Sequence, residues 1–162
     1  MTKLNYDISV QFRKDLMAAY DKIAPIALTQ KQAYQLAVKQ PAPRYYLTHK
    51  QAYQHVMRMY KGDYSLVEKM RPNKKRQYLA LFDTSINLWK KRGFRKKSLW
   101  HVMQFAVLEP APEFFVGWRD MQKIFQFVQT GRFANTDKWT DWKEHYDPNQ
   151  KVEKYKFKSA RV

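Results

Sequence analysis

The chain has 162 residues and no cysteine, and its 31 Lys and Arg against 14 Asp and Glu give a formal charge of +17. That length suits one domain or two very small ones, and 44% hydrophobic with 16% aromatic residues is too much for a disordered chain. Without cysteine there can be no disulfide scaffold, zinc–cysteine site or thiol nucleophile, which fits a reducing intracellular setting; four glycines leave no Gly-rich phosphate loop, and no run of about 18 apolar residues is present to span a bilayer.

The N-terminus, Met1 to Asp7, has no apolar stretch and does not read as a signal peptide. Phe12, Leu16, Tyr20 and Ile23 then recur at i, i+4, i+8 and i+11, the stripe of an amphipathic helix. Thr29 is an N-cap type, and Thr29-Gln30-Lys31-Gln32 reads as a capping box opening the next helix. Pro41-Ala42-Pro43 ends it, because proline lacks an N–H and turns its predecessor away from helical angles. Tyr45 and Tyr46 are expected to plug into the core. Thr48, with Gln51 in the capping-box position, opens a helix over 48–60, and Gly62 stands where a left-handed terminator belongs.

Tyr78, Phe82, Ile86 and Trp89 repeat the first stripe in a helix over about 77–90. Ser98 caps the segment 99–108, LWHVMQFAVL, which is apolar nearly all round and so belongs in a core or an interface. Pro110-Ala111-Pro112 stops it, and Trp118, Met121, Phe125 and Val128 stripe the next helix. Beyond Arg132, Asn135-Thr136-Asp137 starts a short helix carrying Trp139, Trp142 and Tyr146, which Asp147-Pro148 stops. The end, 151–158, alternates cationic and apolar residues as an edge strand or an extended basic tail.

Residues 29–63 and 98–132 align without a gap at an offset of 69. Gln35/Gln104, Ala37/Ala106, Val38/Val107, the whole Pro-Ala-Pro and Gly62/Gly131 are identical, and Tyr45/Phe114 and Tyr46/Phe115 are similar. The expected fold is therefore all-α. Two tandem three-helix units, 1–63 and 64–132, arise by duplication and pack as one body, followed by the helix and tail of 133–162. The segment Pro41-Ala42-Pro43-Arg44-Tyr45-Tyr46-Leu47-Thr48, with Ala52 after it, resembles a PAPRFYVS…A signature of small basic proteins of Bacteroidales phages and mobile elements. The second copy departs from it at Glu113 and Gly117. The resemblance implies an origin in a phage or mobile element and carries no active site with it.

The charge is uneven. Residues 69–97 hold Lys69, Arg71, Lys74, Lys75, Arg76, Lys90, Lys91, Arg92, Arg95, Lys96 and Lys97 against the single acid Asp83. The two clusters flank the helix over 77–90 and should stand about 20 Å apart, too far for one phosphate pocket and suited to an extended polyanion. The competing reading is helix capping and solubility, since Lys90 and Lys91 sit at a helix C-terminus. Phe94, amid the second cluster, either anchors its loop or stacks on a base. Lys50, Gln54 and Arg58 share the polar side of helix 48–60 and are candidates for reading base edges, as are Arg119, Gln122, Lys123 and Gln126 in the second copy. The tail adds Lys154, Lys156 and Lys158.

Catalytic signals are poor. His49, His55, His101 and His145 are scattered without an HExxH spacing. Asp137, Asp141, Glu144 and His145 cluster in the short C-terminal helix, where balancing local lysines outweighs a metal site. No cofactor and no metal is expected. The leading expectation is a non-enzymatic, intracellular, nucleic-acid-binding protein, with double-stranded DNA favoured over RNA and no membrane role. The alternatives are a structural or assembly protein of a virion or nucleoprotein particle, a homo-oligomer among them, and an inhibitor of an acidic protein.

Overall fold

Side-chain caps open three of the described helices. The computed structural model describes residues 3–130, and among these it is all-helical: α1 (Lys3–Ile23), α2 (Gln30–Val38), α3 (His49–Tyr60), α4 (Ser65–Glu68), α5 (Pro72–Trp89), α6 (Leu99–Ala106) and α7 (Trp118–Thr130). Thr29, Thr48 and Ser98 cap α2, α3 and α6, each accepting from the backbone N–H three residues on. The capping box at Thr48 is complete. At α2 the expected box is shifted by one residue, since Gln32 Oε1 accepts from the Leu28 N–H at 2.7 Å instead of from Thr29. α3 ends in a two-bond Schellman closure, Gly62 N–H to the Met59 carbonyl and Asp63 N–H to the Arg58 carbonyl, both 2.9 Å. Gly62 holds φ +88°, and a Cβ there would meet nothing within 4 Å. Gly62→Ala is therefore expected to cost only the left-handed backbone penalty, about 1–2 kcal/mol. Thermal unfolding should show a loss of about 2–4 °C per kcal/mol, with Gly62→Asn falling in between.

The helices group into two compact units. One contains α1, α2 and α7; the other is the contiguous stretch Pro41–Phe115, with α3 to α6. This grouping does not follow the tandem division at 63/64. The reason lies in the apolar faces. Ala52, Val56 and Met59 of α3 are buried, and α3 packs on α5 and α6. Met121, Phe125 and Val128 of α7 are buried, and α7 packs on α2 and α1.

The core of the first unit is an aromatic triad. The Tyr20, Tyr34 and Phe125 rings lie 5.1–5.6 Å apart, tilted against one another, and Leu16, Ala33, Ala37 and Met121 of the same three helices are fully buried. Burial pushes the Tyr20 phenol up to about 12 and raises that of Tyr34 as well.

In the second unit the two Pro-Ala-Pro segments meet. Ala42 and Ala111 exchange reciprocal N–H···O=C bonds of 2.9 Å as an isolated antiparallel bridge. Prolines on both sides of each alanine lack the donors that would extend the ladder. Tyr45 stacks on Phe115 (6.3 Å, 15°) and Tyr46 on Phe114 (6.1 Å, 11°). Tyr45 is buried, and its hydroxyl bonds the Thr84 hydroxyl at 2.9 Å. Phe115 has φ +55°, a left-handed position that costs a non-glycine residue about 1–2 kcal/mol.

Two faces differ from the sequence pattern. On α5 the buried residues are Gln77, Tyr78, Leu81, Ser85 and Leu88, while Phe82, Ile86 and Trp89 are only half-buried. On α6, Leu99, Val102, Met103 and Ala106 are buried, whereas Trp100, Phe105 and, just beyond, Leu108 stay exposed. The expected C-terminal helix, the basic tail with Lys154, Lys156 and Lys158, the cluster Asp137, Asp141, Glu144 and His145, and Gly131 lie outside the described residues. No helix of the described residues is long and apolar enough to cross a membrane.

Candidate nucleic-acid interface

All eleven cluster cations belong to the second unit, and so do Lys50, Gln54 and Arg58. Pro41–Phe115 carries 15 basic and 5 acidic residues, which concentrates +10 in fewer than half the residues of the chain. α5 is the spacer. Its 18 residues span about 27 Å. Lys69, Arg71, Lys74, Lys75 and Arg76 gather at its N-terminal end, and Lys90, Lys91, Arg92, Arg95, Lys96 and Lys97 at and beyond its C-terminal end. Lys75 is half-buried and the other ten are exposed.

The first cluster is placed against the helix dipole. The N-cap of α5 is Arg71, which makes no side-chain cap bond, and the first turn contains no acid. Helix N-termini favour Asp, Ser and carboxylates and disfavour cations, so stability alone does not account for these residues. Arg71 already has the extended φ −61°, ψ 152° of a cap. Arg71→Asp is therefore expected to raise stability by about 1 kcal/mol, visible as a higher Tm, while weakening any polyanion binding. A fall in Tm would contradict this account of the helix end.

Individual cations differ in availability. Arg76 is committed locally. It pairs with Glu113 at 2.8 Å, donates to Asn73 Oδ1 at 2.5 Å and lies over the Phe115 ring. Lys74 lies 5.6 Å over the Tyr78 ring. Protein packed around its ammonium lowers its pKa by desolvation, while the side chain as a whole keeps an exposed surface. Of the candidate base readers, Lys50 and Gln54 are exposed, and Arg58 forms a loose 3.7 Å pair with Asp63 at the end of α3. Phe94 is half-buried and turned onto Phe105 (5.4 Å, edge-on) and His101, so it anchors the loop of the second cluster.

The described histidines are held in packing contacts. His49 bonds the Trp100 carbonyl through Nε2 at 2.6 Å. His55 packs on Tyr78, and burial, with Arg58 and Lys74 nearby, lowers its pKa. Among the described residues no three His, Asp or Glu are grouped to hold a metal ion.

The sequence pattern did not single out one feature at the second cluster. Tyr60, Ile86, Trp89, Lys90 and Arg95 line a cavity of about 380 Å³ that is open to solvent. No sequence signal marked it, because Tyr60 follows Ala52 and Val56 at helical spacing and only the structure shows that it stays exposed. Comparison of the chain with protein-family models, with curated proteins and with solved structures finds no match.

Proposed function

We propose that this is a non-enzymatic nucleic-acid-binding protein that engages the phosphates of double-stranded DNA through the two basic clusters flanking α5. The observation that carries the reading is the exposed cation load at both ends of one helix, ten exposed residues with Arg71 and Lys74 set against the dipole. DNA presents one charge per about 1.7 Å of axis, so a duplex backbone can bridge the about 20 Å of α5 between Arg76 and Lys90. Arg76 serves the fold more than the ligand. Lys50, Gln54 and Arg58 are the residues proposed to contact base edges.

Anisotropy with labelled duplex DNA, single-stranded DNA and RNA across a salt series tests this. Binding should weaken steeply with salt, by about 0.9 in log–log slope per neutralised phosphate, with the duplex preferred over RNA. Lack of binding to every polymer at about 50 mM salt would overturn the reading.

The second reading, an assembly protein of a virion or nucleoprotein particle, is favoured by exposed apolar side chains. These are Ile26 and Leu28 in the first unit and Trp100, Phe105 and Leu108 in the second. It calls for self-association that is indifferent to salt. We also infer an internal duplication at an offset of 69. It is supported by the aligned Pro-Ala-Pro segments and by the reciprocity of their contacts: Ala42 bonds Ala111, and the Tyr45–Phe115 stack corresponds to the Tyr46–Phe114 stack under that offset.

A further inference from the structure

We propose that the cavity beside the second basic cluster is a pocket for one unpaired nucleobase of a bound strand; this rests on the nucleic-acid reading above and assigns it a particular ligand feature. The cavity, about 380 Å³, lies at the lower end of the range of ligand sites, about 300–1,000 Å³, the size of a single nucleotide. Its aromatic walls are Tyr60, the last residue of α3 and 54% exposed, and Trp89, the last residue of α5. Their centroids are 5.4 Å apart at 55°, so the rings form a V and do not stack face to face on each other.

Trp89 is fixed in that position. Its indole Nε1–H donates to the Lys97 carbonyl at 2.9 Å, tying the ring to the loop that carries the second cluster. Ile86 is the third apolar wall. The buried face of α5 lies elsewhere, with Leu81 and Leu88 in the core, so Ile86 and Trp89 are apolar residues that the core leaves half-buried.

The remaining walls, Lys90 and Arg95, are exposed cations, and among the described residues no acid lines the cavity. An occupant therefore needs a planar π-face for the aromatics and a negative group joined to it for the cations. A nucleotide within a strand has both. Bases of an intact duplex are stacked and paired and do not reach such a pocket. The occupant is accordingly a nucleotide at a strand end, an overhang or a bulge. It sits next to the phosphates that Lys91, Arg92, Lys96 and Lys97 engage.

The test uses the full chain and a duplex bearing a short overhang with one 2-aminopurine, beside the same duplex made blunt with 2-aminopurine paired internally. The wild-type protein should quench the overhang fluorophore, which stacks on the rings, and leave the paired one unchanged. Tyr60→Ala should remove the quench and lower affinity for the overhang duplex about tenfold, while Tyr60→Phe retains both and the blunt duplex binds all three proteins alike. Circular dichroism confirms that the variants are folded. A wild-type protein that binds the overhang duplex without quenching it, or a folded Tyr60→Ala that quenches and binds as the wild type does, overturns the pocket and leaves the phosphate reading standing. Failure of the wild-type protein to bind either duplex overturns both.

Discussion

Charge reversal at Lys69, Lys74, Lys96 and Lys97 is expected to abolish polyanion binding without unfolding the protein. All four side chains are exposed, two at each end of α5. At roughly 1 kcal/mol per reversed charge the affinity falls about a thousandfold, and the log–log salt slope flattens by about 3.6. Arg76 and Lys75 are left in place deliberately. A carboxylate at position 76 would face Glu113, now its partner at 2.8 Å, and destabilise the turn between Pro110 and Phe115. Lys75 is half-buried. At Lys74 the change also removes a cation from the first turn of α5, where the dipole disfavours it. A quadruple variant that binds with wild-type affinity and slope would remove the phosphate interface. One that loses both binding and its thermal transition would show that these lysines serve the fold.

The largest expected loss of stability comes from Phe125→Ala. Truncating a fully buried aromatic costs about 3–5 kcal/mol, and loss of the ring contacts with Tyr20 and Tyr34 is included in that figure. The effect has an address as well as a size. Phe125 belongs to α7, yet its partners belong to α1 and α2 near the other end of the chain. Amide hydrogen exchange should therefore accelerate in α1 and α2 at least as much as in α7, and least within Pro41–Phe115. A variant whose exchange increases chiefly in α5 and α6 would contradict the grouping of the helices.

Local features were legible in the sequence because their causes are local. Thr29, Thr48, Ser98 and Gly62 act on backbone groups within four residues, and each holds the position its chemistry suggests. Most of the α7 stripe was legible for the same reason: Met121, Phe125 and Val128 stand one helical period apart and are buried, while Trp118, expected beside them, is half-buried. Periodicity reveals which face of a helix is apolar. It does not reveal which other face covers it. α3 and α7 carry equivalent stripes, and nothing in their spacing says that α7 reaches back to α1 and α2 while α3 turns to α5 and α6.

The interface was legible as charge and only partly as geometry. That the cations cluster is a property of the sequence, and so is their placement at the two ends of one helix. That Arg76 is tied to Glu113, 37 positions away, is a tertiary fact with no sequence signal. The cavity at Tyr60 and Trp89 was hidden for a related reason. An aromatic on a helical stripe reads as core, and only the packing of α3 against α5 shows that these two stop short of it.

The reach of α7 back to α1 and α2 has a consequence for how the chain is made. Tyr20 and Tyr34 leave the ribosome long before Phe125, the ring that closes over them. At synthesis rates of about 5–20 residues per second, α2 waits on the order of 4–17 s for α7. Pro41–Phe115 is contiguous and can close on itself during that interval. The stretch that carries the basic clusters is complete in the nascent chain before Phe125 is made, and until then Tyr20 and Tyr34 lack the third ring that covers them.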